Sequence, residues 1–158
     1  MRAIFGASLL VLITGLPGAD ADTGCGHGVA RLNQRFVEDM RTKNRVDVLS
    51  LYENDASFIQ PDGSTVEGSR KIAALYQDVF AKFDSALALQ PQALQAQSGL
   101  GVCVQTGSWT ETLTDRTNGK RVALSGRYNF AYRRYRSGRL RFARQQWFQD
   151  RAPDSVSR

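Results

Sequence analysis

Val29, Leu32, Phe36, Val37 and Met40 recur at the spacing of one helical face, which predicts an amphipathic helix over residues 28–43. Val46, Leu49 and Tyr52 continue that period through a short second helix, which the turn-forming run Glu53-Asn54-Asp55 ends. Ala56-Ser57-Phe58-Ile59, the turn Pro61-Asp62-Gly63 and the stretch Ser64 to Glu67 then read as a small hairpin. Ser69 stands where its hydroxyl can cap a third helix, whose apolar face is Ile72, Leu75, Tyr76, Val79, Phe80 and Phe83. Beyond Ser85 the period shortens to that of strands. Ser85 to Gln90 alternates until Pro91 breaks the run, and Val102 to Leu113, Val122 to Tyr135 and Arg139 to Phe148 follow as long strands. Thr117-Asn118-Gly119-Lys120 predicts a tight hairpin, because Asn-Gly accepts positive φ, and Ser137-Gly138 makes the next turn. Helices first and a meander after them predict an α+β domain in which a curved antiparallel sheet wraps against the N-terminal helices.

Met1-Arg2, the apolar run of residues 3–16, Pro17-Gly18 and Ala19-Asp20-Ala21 have the order of a secretory signal with an A-x-A cleavage site, over residues 1–21. The run of 14 residues is shorter than the roughly 20 that a bilayer-spanning helix needs, so no transmembrane segment is expected. The reading is an exported protein, periplasmic or extracellular, with one domain over residues 22–150 and a polar tail over 151–158. Cys25 and Cys103 are the only cysteines, and an oxidising compartment favours pairing them. Paired, they close a loop of 78 positions; if their Cβ atoms do not meet, they remain separate thiols.

Length and composition agree with one globular domain: 158 residues, 42% hydrophobic and 23% charged. The net charge of +6 would suggest a nucleic-acid partner in the cytoplasm, and export removes that partner. The charge is unevenly placed. Residues 22–115 hold eight basic and twelve acidic side chains, whereas residues 116–151 hold eleven basic ones against Asp150 alone. Such a cationic meander either keeps exposed strands soluble or offers a patch to an anionic ligand, partner or lipid surface.

His27 is the only histidine, so histidine acid/base chemistry and a histidine-rich metal site are not expected, and no cofactor is implied. Gly99-Leu100-Gly101 lacks the following Gly-Lys of a phosphate loop. A cofactor-independent isomerase needs a carboxylate base and a hydrogen-bond donor in an apolar pocket. Glu111, in phase with Trp109, is the candidate base, with Tyr128 or Tyr76 as donor, although a strand glutamate is more often solvated. Tyr128, Phe130 and Tyr132 alternate with Arg127, Asn129 and Arg133, and the aromatic set is expected to face inward. Alternation alone does not orient Arg127 or Arg144.

The segment from Val46 to Ile59, then Pro61-Asp62-Gly63 and Glu67-Gly68-Ser69-Arg70-Lys71-Ile72, resembles the opening of SnoaL-like proteins in the nuclear transport factor 2-like superfamily. Gly107-Ser108-Trp109, Gly126-Arg127-Tyr128-Asn129-Phe130 and Gly138-Arg139-Leu140-Arg141-Phe142-Ala143 follow the same family order. Within that superfamily the chain is most similar to exported relatives of the calcium/calmodulin-dependent kinase II association domain, which place a cysteine near both Cys25 and Cys103. The resemblance implies a cone-shaped α+β barrel with a pocket at its open end, and homodimers or larger homo-oligomers formed through the sheet. Tyr52, Tyr76, Trp109, Arg127, Tyr128 and Trp147 are the residues expected to meet a small apolar or carboxylate-bearing ligand. The expected function is an exported pocket protein, a ligand-binding or oligomerisation module without established catalysis. The alternative is an isomerase or lyase that uses Glu111.

Overall fold

The computed structural model describes residues 25–97 and 99–150; the expected signal, residues 1–21, and tail, residues 151–158, lie outside them. Helix α1 (Gly26–Thr42) buries Val29, Leu32, Phe36 and Met40 of the stripe read from the sequence, leaves Val37 partly buried, and ends at Lys43 in the left-handed conformation. Helix α2 (Arg45–Leu51) starts at Asn44, whose side chain accepts the backbone N–H of Asp47. Its buried residues are Val48 and Leu51, not the expected face: Val46 is 74% exposed and Tyr52 already belongs to the next strand.

Strand β1 (Tyr52–Ile59) absorbs Glu53-Asn54-Asp55, the residues expected to form a turn. Tertiary pairing overrides their local preference. β1 pairs with the last strand of the chain, and the Glu53 carboxylate, 5% exposed, accepts Arg133 Nε and the Tyr135 hydroxyl, both at 2.9 Å. Strand β2 (Thr65–Glu67) returns beside β1, and helix α3 (Ser69–Lys82) follows. The expected Ser69 cap is not made; Gly68, with φ 92°, stands at that position, where a side chain would be strained.

Strands β3 (Phe83–Gln97), β4 (Val102–Asp115), β5 (Arg121–Arg134) and β6 (Leu140–Gln149) complete one sheet in the order β2-β1-β6-β5-β4-β3. Neighbours are antiparallel except β1 and β6, which run parallel. Pro91 does not end β3. It sits on an edge strand, where a missing N–H breaks no outer ladder, and the pairing shifts register between Pro91 and Ala93. The sheet curves around α1 and α3, and its concave face holds the core. Cys25 and Cys103 are joined in a disulfide with their Cα atoms 6.2 Å apart, which ties the start of α1 to the start of β4. Among the described residues no helix is long and apolar enough to cross a membrane.

Candidate functional site

Strand register arranges the concave face in rows. From the β3–β4 turn toward the other end of β4, the rows are Ala96, Cys103, Tyr132 and Phe142; Leu94, Gln105, Phe130 and Gln145; Pro91, Gly107, Tyr128 and Trp147; Leu89, Trp109, Gly126 and Gln149; and Leu87, Glu111 and Leu124. Two glycines let large rings lie across the strands. A Cβ on Gly107 would stand 2.6 Å from the Tyr128 hydroxyl, and one on Gly126 would stand 2.8 Å from the Trp109 indole nitrogen. That indole N–H crosses Gly126 to donate to the carbonyls of Arg127 and Phe148, each at 3.1 Å.

The rows nearest the disulfide hold polar groups that bond to one another, although the buried Gln145 Nε2 has no partner among the described residues. Gln105 Oε1 accepts Asn33 Nδ2 at 2.6 Å and the Tyr128 hydroxyl at 3.2 Å, and the Tyr132 hydroxyl donates to Asn33 Oδ1 at 2.9 Å. Beside this cluster, the hydroxyls of Tyr52 and Tyr76 lie 3.2 Å apart and both donate to Gln145 Oε1. Burial pushes the phenols of Tyr52, Tyr76 and Tyr132 above their ordinary range, and that of Tyr128 up to about 12. They act as neutral hydrogen-bonding groups.

The opposite end opens into a cavity of 200 Å³ between α1, α3 and the sheet. Phe36, Phe58, Tyr76, Trp109, Leu124 and Trp147 give it an apolar wall. Glu111 is its only charged lining residue. Burial raises the Glu111 carboxyl above its ordinary range, and the Ser85 hydroxyl, donating to Oε1 at 2.6 Å, opposes that rise in part. Trp147 packs edge-on against Trp109, with ring centroids 5.5 Å apart, and its buried indole N–H has no acceptor among the described residues.

Of the residues expected to meet a ligand, Tyr76, Trp109 and Trp147 line this cavity together with Glu111. Tyr52 and Tyr128 are buried in the core beside it and do not line it. Arg127 is exposed on the outer face of β5, as are Asn129 and Arg133, while Tyr128, Phe130 and Tyr132 turn inward. Arg144 is also exposed, and its guanidinium donates to Gln146 at 2.9 Å. The cavity therefore contains no arginine to receive a carboxylate. Of the two donors considered for Glu111, Tyr76 shares the cavity with it and Tyr128 is engaged by Gln105. Sequence reasoning missed Ser85, Gln105, Gln145 and Asn33. The available signal was a polar side chain in phase with the buried aromatic ones, at Gln105 against Trp109 and at Gln145 against Trp147.

A family model described as a SnoaL-like domain matches residues 29–147. A nuclear transport factor 2-like superfamily protein from Salmonella enterica serovar Typhimurium superposes with a TM-score of 0.72 at 19% identity, covering 87% of this chain and 98% of that one. A putative calcium/calmodulin-dependent protein kinase II association domain from Xanthomonas campestris gives 0.68 at 21%, covering 79% and 87%. A ketosteroid isomerase-like protein from Erwinia carotovora atroseptica gives 0.69 at 16%, covering 80% and 96%. No curated protein matches the sequence. These identities establish a shared fold and leave activity to the site itself.

Proposed function

The chain belongs to the SnoaL-like domain family, and from that premise we propose that it is an exported single-domain protein that binds a small, mostly apolar organic molecule in the cavity beside Trp109 and Trp147. The observation that carries this reading is the cavity itself: 200 Å³ of apolar wall broken by few polar groups, the usual composition of a small-molecule site. The same reading has the protein working as a homodimer through the outer face of the sheet. The disulfide and the lack of a membrane-spanning helix among the described residues are consistent with export. Native mass spectrometry of the protein recovered from its producing cells tests this directly. A dimer carrying a bound organic mass is expected, and a persistent monomer without one overturns the reading.

A second reading is favoured by one observation, the raised affinity of Glu111 for its proton in an apolar wall. A carboxylate so placed suits general-base chemistry, the work of an isomerase or lyase without a cofactor. Glu111→Gln would abolish turnover of a substrate found for the protein while leaving its melting temperature nearly unchanged; unaltered turnover removes the assignment.

A further inference from the structure

An isolated carboxylate in an apolar cavity is costly unless it is neutralised or paired. Glu111 meets that condition inside a protein whose sequence carries a net charge of +6. Its neighbours on the adjoining strands are Leu87 and Leu124, α3 presents Leu75, Tyr76 and Val79, and α1 presents Phe36 and Met40. None of these is basic, no basic side chain offsets the burial of Glu111, and Ser85 supplies a single hydrogen bond. The other titratable group on the wall, Tyr76, is held neutral by burial.

The walls around the acid are of the kind that attracts cations. Trp109, Trp147, Tyr76, Phe36 and Phe58 are all lining residues, and indole and phenol faces draw ammonium groups, most strongly where water is excluded. The indole N–H of Trp147 is buried without an acceptor among the described residues and is closed to the cavity, so the recognition rests on Glu111 and the ring faces. Size narrows the class further. The cavity of 200 Å³ lies below the roughly 300–1,000 Å³ of drug-sized sites and somewhat above the ~150 Å³ that holds a benzene.

We infer that the occupant is a small organic cation, a quaternary or alkylated ammonium of choline-like size, with the cation against Glu111 and the rings. This inference rests on the small-molecule reading above and narrows it from an apolar molecule to a cationic one. It excludes carboxylate ligands, which would place like charges together in the same cavity.

The test compares choline with 3,3-dimethylbutan-1-ol, its neutral counterpart of nearly the same shape, by titration calorimetry on the disulfide-bonded protein. Choline is expected to bind at least about tenfold more tightly, and the preference to vanish in Glu111→Gln. Equal binding of the two overturns the cationic assignment and leaves the small-molecule reading standing. A preference for the neutral alcohol does the same. Binding of neither overturns the cation and counts against the broader reading as well, which the native mass measurement then decides separately. Should Glu111→Gln fail to fold, wild-type titrations in two buffers of different ionisation enthalpy keep the inference falsifiable. Near the raised Glu111 pKa, a cation displaces the carboxyl proton, so proton release on choline binding is expected; proton uptake or none overturns it.

Discussion

The two ends of the concave face both bury polar groups among aromatic rings, yet they treat them differently. Toward the disulfide, Asn33, Gln105, Tyr128 and Tyr132 are tied to one another. At the cavity, Glu111 has one hydroxyl for company and the Trp147 indole has no acceptor among the described residues. A satisfied network specifies a single packing, whereas an unsatisfied group beside open volume retains an interaction for something else to complete. Burial alone therefore does not distinguish structure from function here, and since the Gln145 amide nitrogen of the closed end is also unpartnered among the described residues, what marks the open end is an ionisable carboxyl beside open volume.

The sharpest way to break the comparison is to remove the brace at the closed end. Replacing Cys25 and Cys103 together by Ser releases a 78-position loop constraint and is expected to cost about 4 kcal/mol, lowering the melting temperature by roughly 10 °C in calorimetry. A loss of under a few degrees would show that packing alone fixes α1 to β4. Next in size is Asn33→Leu, which strands Gln105 and Tyr132 and is expected to cost about 1–3 kcal/mol by denaturant unfolding. The matching change at the open end, Trp147→Phe, deletes a donor that bonds to nothing, so its stability should stay within about 1 kcal/mol of wild type. If Trp147→Phe costs as much as Asn33→Leu, the two ends are equally structural and the distinction fails.

Much of this was legible in the sequence, and the exceptions share one cause. The α1 stripe, the α3 stripe up to Phe80, the Asn118-Gly119 turn and the inward set Tyr128, Phe130 and Tyr132 all follow from local period and turn chemistry, whereas Phe83, expected on the α3 face, opens β3. The boundary between α2 and β1 does not, because Glu53-Asn54-Asp55 become strand only through pairing with residues near the other end of the chain. Pro91 misleads for the same reason, since its tolerance depends on β3 lying at the sheet edge. For the site, alternation correctly assigns Trp109, Tyr128 and Trp147 to one face but does not say which row opens on a cavity. That is set by register and by the helices above. Gly107 and Gly126, which admit the Tyr128 and Trp109 rings, acquire their meaning only from the side chains opposite them.

The smallest expected effect sharpens the comparison through pH. Burial lifts the folded-state pKa of Glu111 above its ordinary value, so the folded protein keeps this proton to higher pH than the unfolded chain does. Below the ordinary value both states are protonated and burial carries no charge penalty. As pH rises through the window up to the folded value, the penalty appears, and above that window it is constant. Wild type should therefore lose stability relative to Glu111→Gln as pH rises above the ordinary glutamate value, with melting curves of the two proteins run side by side. The opposite sign would mean that Glu111 is stabilised as an anion within the protein itself.

The parallel pairing of β1 with β6 also sets the order in which this molecule can come into being. Tyr52 and Gln145 are 93 positions apart, so the early strand waits unpaired on that side until the final strand has been made. The buried Phe142 and Gln145 and the cavity-lining Trp147 arrive with that strand. Loop closure over such distances is slow compared with forming helices or hairpins. A chain halted before β6 thus has α1 packed on β3 and tied to β4 and β5 through the disulfide and Asn33, but lacks the strand that joins β1 to the meander, so the sheet is completed last.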